Sequence, residues 1–192
     1  LINSLQESLE RLKTDHVDLA LIHWPSPDDE VPMEEYLTAL QEAQKEGLTR
    51  HIGLSNFTCA QMDQAVEILG KGTLMTNQVE VHPFLANRKV VEHAQALGMT
   101  VTGYMPLAVG KVMEDETLER IGRKHNVSPA QVAIAWVASR GIVPIPSSTR
   151  PQHQKANLEA MQIRLSDEDI AAIDELDRNQ RIANPDFAPA WD

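Results

Sequence analysis

Cysteine is nearly absent from the 192-residue chain. Cys59 stands alone, so no internal disulfide can form, and a reducing cytoplasm is the default compartment. Positive charge is scarce too: 17 Lys and Arg against 28 Asp and Glu give a formal charge of −11. A nucleic-acid binder presents a basic face to phosphates and a peripheral membrane protein often a polybasic segment, so neither partner is expected. No apolar run reaches the roughly 20 residues of a spanning helix. The seven histidines show no HExxH or paired-cysteine spacing, and no metal site is expected. What remains is the composition of a globular chain, 42% hydrophobic and 23% charged, with enough apolar residues for a core.

Residue 1 is Leu, and Ile2, Leu5, Leu9 and Leu12 already trace a helical stripe with no capping residue ahead of it. No signal or transit segment is expected from the residues that open the stripe. The expectation is that the opening elements lie upstream.

From there, apolar β-rich runs alternate with amphipathic helical patterns. The runs are Val17 to Ile22, Ile52 to Ser55, Leu74 to Val81, Thr100 to Met105 and Ile142 to Ile145. Helices are predicted over Met33 to Glu46, Gln61 to Leu69, Arg88 to Leu97, Asp115 to His125, Pro129 to Arg140 and Asp167 to Leu176. Ser128-Pro129 and Ser166 with Asp169 are helix-start signals. A polar loop is predicted between Ile145 and the last helix. Runs without strict alternation, separated by helices, mean parallel strands covered by helices.

A doubly wound nucleotide-binding sheet would carry a GxGxxG turn after its first strand, and none occurs. The pattern fits an α/β fold of the (β/α)8 TIM-barrel kind, of which five C-terminal β/α units are visible; a full barrel takes about 250 residues. Residues 1–192 are read as one domain. The segment 178–192, with Pro185, Phe187, Pro189 and Trp191 and no periodicity, is read as an ordered loop or flap rather than a helix. Five strands of such a barrel would leave two open edges, which favours oligomerisation or misfolding of the piece alone.

Catalytic groups of these barrels project from the C-terminal strand ends. Those positions here are His23-Trp24-Pro25, Ser55-Asn56-Phe57, Asn77-Gln78-Val79-Glu80, Tyr104-Met105-Pro106-Leu107 and Pro146-Ser147-Ser148-Thr149-Arg150. Each has a plain structural explanation. His23 could be a hydrogen-bonded core residue, Ser55 and Asn56 could cap the next helix, and Gln78 could satisfy backbone groups. Tyr104 could be core, and Ser147 to Arg150 a solvated loop. Five polar strand ends at one mouth nevertheless suggest a polar ligand. A neutral imidazole can donate to a carbonyl oxygen. Asn56 and Gln78 each offer the donor and acceptor that a carboxamide needs. Tyr104 is a stacking surface for a flat heterocycle. Ser147, Ser148, Thr149 and Arg150 form an anion-binding set. Glu80 and His82, two potential ligands close in sequence, are too few for a metal centre. Cys59 sits at a helix start, where a thiol pKa can fall, but it has no partner base and is read as inert.

These motifs resemble those of the aldo-keto reductases, NADPH-dependent (β/α)8 oxidoreductases. Asp18 to Pro25 is similar to the strand that carries that family's catalytic histidine. Gly53 to Phe57 and Asn77 to Pro83 resemble its two nicotinamide-carboxamide segments, and Gly103 to Leu107 the stacking tyrosine and pyrophosphate loop. Ile145 to Arg150, with Asn157, resembles the 2′-phosphate and adenine segment. The Trp-Pro-Ser-Pro loop and the Ala-Pro-Ala-Trp-Asp terminus look most like the bacterial 2,5-diketo-D-gluconate reductase branch, B-type.

The resemblance implies reduction of aldehydes, methylglyoxal, small keto-sugars or keto-acids by hydride transfer from NADPH. It makes His23 the catalytic residue and assigns the cofactor to Ser55, Asn56, Gln78, Tyr104, Met105, Leu107, Ser147, Ser148, Thr149, Arg150 and Asn157. His23, Trp24 and Trp191, with Phe187, face the substrate, and the complete enzyme is a cytoplasmic monomer.

Two departures stand out. Ser147 and His153 replace the Lys and Arg that the family often carries, leaving Arg150, helped by Lys155, to supply charge. The family's catalytic Asp, proton-donating Tyr and Lys belong to earlier strands, so only His23 of that tetrad lies in these residues. The 192 residues alone are therefore expected to be inactive. The alternative function is a non-catalytic, NADPH-binding truncated barrel. A phosphate-handling barrel such as an aldolase is a third, disfavoured because no lysine ends a strand.

Overall fold

The computed structural model describes residues 1–192. The helices are α1 (Ile2–Leu12), α2 (Met33–Lys45), α3 (Cys59–Leu69), α4 (Arg88–Ala96), α5 (Glu116–His125), α6 (Pro129–Ser139), α7 (Pro151–Glu159) and α8 (Asp167–Asp174). The strands are β1 (Val17–Ile22), β2 (Thr49–Ser55), β3 (Leu74–Glu80), β4 (Thr100–Tyr104) and β5 (Ile142–Pro144). They form one five-stranded sheet in chain order. The pairs β1–β2, β2–β3 and β4–β5 are parallel, as the run-and-helix alternation requires. No helix is long and apolar enough to cross a membrane.

The chain divides into two compact units. One comprises Leu1–Gln78, Lys89–Thr100 and Pro185–Asp192; the other comprises Val79–Arg88 and Val101–Asn184.

In the first unit α2 buries Met33, Leu37, Leu40 and Ala43, a stripe at helical spacing. Each such large side chain contributes roughly 1.5–3 kcal/mol when fully buried. Ile52, Leu54, Phe57 and Met62 complete the floor, each without exposed surface. Gly53 is required in β2: a Cβ there would lie 2.8 Å from the Thr76 carbonyl oxygen and 2.8 Å from Leu21 Cδ2. α3 begins at Cys59, ahead of the Gln61 start predicted from periodicity, because Thr58 and Gln61 close a capping box.

The second unit is organised by α6, whose residues Val132 to Val137 are all buried. Ser128 and Ser166 cap α6 and α8, each in a capping box, as their positions predict. Between α5 and α8, the buried Asp169 carboxylate accepts from Lys124 Nζ at 2.8 Å and from His125 Nε2 at 2.8 Å. α7 is a correction to the predicted polar loop. It buries no residue, so it has no apolar stripe to read. A local bond from Gln154 Nε2 to the Ser148 carbonyl at 2.8 Å closes its start, and a tertiary bond from Gln131 Nε2 to the Ala156 carbonyl at 3.1 Å ties it to α6.

Candidate functional site

The C-terminal ends of β1, β2 and β3 are aligned: Ile22 pairs with Leu54, and Ser55 with Gln78. His23, which follows Ile22, thus falls in one row with Ser55 and Gln78. At about 4.8 Å per strand, its ends are about 10 Å apart, a gap that one bound small molecule can bridge.

The middle of this row is a hydrogen-bonded buckle. Ser55 Oγ donates to the Gln78 carbonyl at 2.8 Å. Asn56, held at φ 63, donates through Nδ2 to the His23 carbonyl at 3.0 Å and to Ser55 Oγ at 3.2 Å. Ser55 and Asn56 are each 1% exposed. Neither caps α3, a role that belongs to Thr58. The two ends of the row differ. The half-buried Gln78 carboxamide and the exposed His23 imidazole make no hydrogen bond to the protein. Gln78 therefore keeps a donor and an acceptor for a carboxamide, and His23 keeps its ring N–H to donate to a carbonyl oxygen. The donor set fits a nicotinamide.

In the second unit Tyr104 ends β4, half-buried, and its carbonyl accepts from the Val81 N–H at 3.2 Å. Burial and the nearby Glu80 charge push its phenol well above the ordinary tyrosine range, with Arg181 opposing, so the ring is neutral at physiological pH. The chain then turns sharply. Met105, Ala108 and Val109 all adopt left-handed backbone, at φ 51, 48 and 54, with Leu107 half-buried between them. Such conformations in non-glycine residues are costly and cluster where backbone is shaped for a ligand.

Ser147 to Arg150 leads into α7, with Arg150 at the N-cap. Ser148 Oγ accepts from the Arg150 N–H at 3.1 Å, while the Ser147, Thr149 and Arg150 side chains are exposed and make no hydrogen bond or ion pair to the protein. Asn157 is half-buried on α7, at the edge of a cleft shared with Pro144 and Pro146. This set fits an anion on Arg150 and the hydroxyls. The exposed Lys155 ammonium lies 3.7 Å from Glu159 along α7.

The tail is non-helical. In the first unit Phe187 meets the Trp24 ring edge-on at 5.5 Å, and Trp191 meets it at 6.0 Å. Asp192 Oδ2 accepts the Cys59 N–H at 3.0 Å. A cleft of about 640 Å³ lies between Pro25 to Asp29 and Asp186 to Ala190, but neither His23 nor Gln78 lines it. The thiol follows the opposite trend from a helix-start cysteine. Burial and the Asp192 carboxylate push Cys59 up to about 11.

One feature of the tail has no signal in sequence. The Glu80 carboxylate, at the end of β3, accepts the backbone N–H groups of Ile182 and Ala183. Glu80 and His82 bond each other, and no group of three His, Cys, Asp or Glu gathers to hold a metal.

The aldo/keto reductase family pattern matches residues 1–178. Methylglyoxal reductase DkgB of Escherichia coli O157:H7 is 52% identical over all of this chain and 72% of its own length. The chain belongs to the aldo/keto reductase family. It is an oxidoreductase of a nicotinamide-dependent, carbonyl-reducing family, and its sheet comprises five β/α units of the family's TIM-barrel fold. Glyoxal reductase of Bacillus subtilis is 36% identical over 95% of this chain and 65% of its own length. A crystal structure of a protein assigned as 2,5-diketo-D-gluconic acid reductase B superposes with a TM-score of 0.95 at 42% identity, over 100% of this chain and 68% of that one.

Proposed function

We propose that this aldo/keto reductase reduces small aldehydes and keto compounds, methylglyoxal and 2,5-diketo-D-gluconate among them, with NADPH as the cofactor, and that it works as a cytoplasmic monomer. The observation that carries the reading is the pair of unpartnered groups, His23 and Gln78, at the two ends of one strand-end row. When bound, NADPH would supply hydride to a carbonyl carbon, and the proton that completes the alcohol would come from the tyrosine that the family carries on an earlier strand.

The chain's own residues bind and orient. Gln78 pairs with the carboxamide of the cofactor, and Ser55 and Asn56 hold the strand ends on which it stands. Tyr104 offers its neutral ring for stacking, and Met105 and Leu107 shape the backbone for the pyrophosphate. Ser147, Ser148, Thr149 and Arg150 take the 2′-phosphate, and Asn157 the adenine. His23 donates a hydrogen bond to the substrate oxygen and stabilises the charge that develops there. Trp24 and Trp191, with Phe187 against them, limit the pocket by shape.

The deciding experiment is made in the complete enzyme, which also carries the family's Asp, Tyr and Lys, and compares it with its His23→Ala variant for NADPH oxidation on methylglyoxal. A large fall in kcat with unchanged NADPH affinity supports the reading, and equal turnover overturns it. Binding of NADPH with no turnover by either protein assigns the chain a nucleotide-holding role instead.

A further inference from the structure

We propose that Asp192 is a positioning residue for the substrate wall: its carboxylate, bound to the Cys59 N–H at the start of α3, holds Trp191 against Trp24. The inference rests on the reading above that Trp24, Phe187 and Trp191 face the substrate, and every residue it uses lies in the first compact unit.

The contacts close a circuit. Asn56 Nδ2 donates to the His23 carbonyl at 3.0 Å, which fixes the residue before Trp24. The Trp24 ring meets Trp191 at 6.0 Å and 62°, and Phe187 at 5.5 Å and 88°. Asp192 Oδ2, on the residue after Trp191, accepts the Cys59 N–H at 3.0 Å. Both hydrogen bonds therefore end on one short segment, Asn56 to Cys59. That segment is well held, since Asn56 and Phe57 are buried and Thr58 closes the capping box of α3. Each half of the aromatic contact is thus tied to the same stretch of backbone.

The chemistry of the helix start suits this bond. Cys59 is the first residue of α3, so its N–H has no acceptor within the helix. The capping box occupies the Thr58 and Gln61 amides and leaves that of Cys59 for the tail. A carboxylate at a helix N-terminus also gains from the macrodipole, and its charge strengthens the bond. The tail needs such a tie, because residues 185–192 contain no helix or strand. A cleft of about 640 Å³ opens between Asp186 to Ala190 and the α3 residues Gln61 and Gln64, so this stretch is not packed down on the helix. A keto-sugar with its carbonyl at His23 extends to the wall, while the much shorter methylglyoxal does not. Release of Asp192 should therefore be felt by the larger substrate first.

The test uses the complete enzyme and two reciprocal variants. Asp192→Ala removes the acceptor. Cys59→Pro removes the donor and spares the helix, because proline is favoured at the first helical position and Thr58, at φ −73 and ψ 170, already has the extended backbone that precedes a proline. Amide exchange at Cys59 should speed by about tenfold in Asp192→Ala, with Gln61 unchanged. The circular-dichroism couplet of the Trp24–Trp191 pair, defined by its loss in Trp191→Phe, should weaken in both variants. KM for 2,5-diketo-D-gluconate should rise about fivefold in each variant and no further in the double variant, with kcat, NADPH affinity and KM for methylglyoxal within about twofold. Unchanged exchange at Cys59 or an undiminished couplet overturns the proposal, and so do KM rises that add in the double variant. A complete enzyme that oxidises no NADPH sinks the reductase reading; faster Cys59 exchange with a weaker couplet would then still establish that Asp192 positions Trp191.

Discussion

The amide nitrogen of Asn56 holds the carbonyl oxygen of His23 at 3.0 Å, so the residue after β2 sets the position of the residue after β1. Removing that bond should matter twice. Asn56→Ala removes the donor to the partly buried His23 carbonyl, which costs about 0.5–1.5 kcal/mol in stability. It also frees the His23 backbone, and misplacement of a reacting group by about 1 Å can cost about a hundredfold in rate. Urea unfolding and kcat on methylglyoxal, measured on the folded variant, should both fall. A stability loss with kcat intact would confine Asn56 to the fold.

Gln78→Ala should weaken nicotinamide cofactors without disturbing the buckle, because the Gln78 bonds in the structure come from its backbone. The loss of one neutral hydrogen-bonding group predicts about a tenfold rise in the Kd of NADPH and of NADH alike. Tryptophan fluorescence titration measures both, and an unchanged Kd would remove Gln78 from the site.

Arg150→Ala should instead separate the two cofactors. Its side chain pairs with no protein group, so the free charge serves an anion or only solvent. A charge-assisted pair is worth about 1.5–3 kcal/mol, which predicts a loss of about tenfold to a hundredfold for NADPH and little for NADH. Equal losses would place the 2′-phosphate elsewhere.

Asp169 predicts an acid-sensitive second unit. Burial alone would raise its carboxyl, but the bonds from Lys124, His125 and Ser166 outweigh that and hold it well below the ordinary carboxylate range. A pKa depressed in the folded state adds stability that is complete above about pH 5 and is lost as pH falls toward the folded value. Wild-type stability should decline between about pH 5 and 3, while Asp169→Asn should start lower at pH 7 and decline less steeply. Parallel curves in urea unfolding would contradict the assignment.

Cys59, pushed up to about 11, should be almost wholly thiol at pH 7.5. Alkylation by iodoacetamide should run far more slowly than for an ordinary cysteine of pKa about 8.5, and should accelerate above about pH 10. Asp192→Asn removes the nearest negative charge and should speed the reaction at neutral pH.

Much of the fold is legible in the sequence because its signals are local. Val17 to Ile22 is a strand in the pattern and in the structure, and Ser128-Pro129 opens α6 where capping chemistry puts it. α7 was hidden because it buries nothing, and periodicity reads burial. At the site, the strand-end residues could be named in order but not ranked. Asn56 and Gln78 look equivalent as amides. Only the register of three strands shows that one is committed to His23 and the other is not.

The amino-acid order by itself determined which side chains end the strands, since alternation of apolar runs and helix signals fixes those points within a residue or so. Tertiary structure alone decided which of those groups are consumed inside the protein and which are offered outward. The anchor of the tail shows why: Glu80 and Ile182 are 102 positions apart, and a hydrogen bond to a backbone N–H leaves no trace in the identity of the residue that donates it.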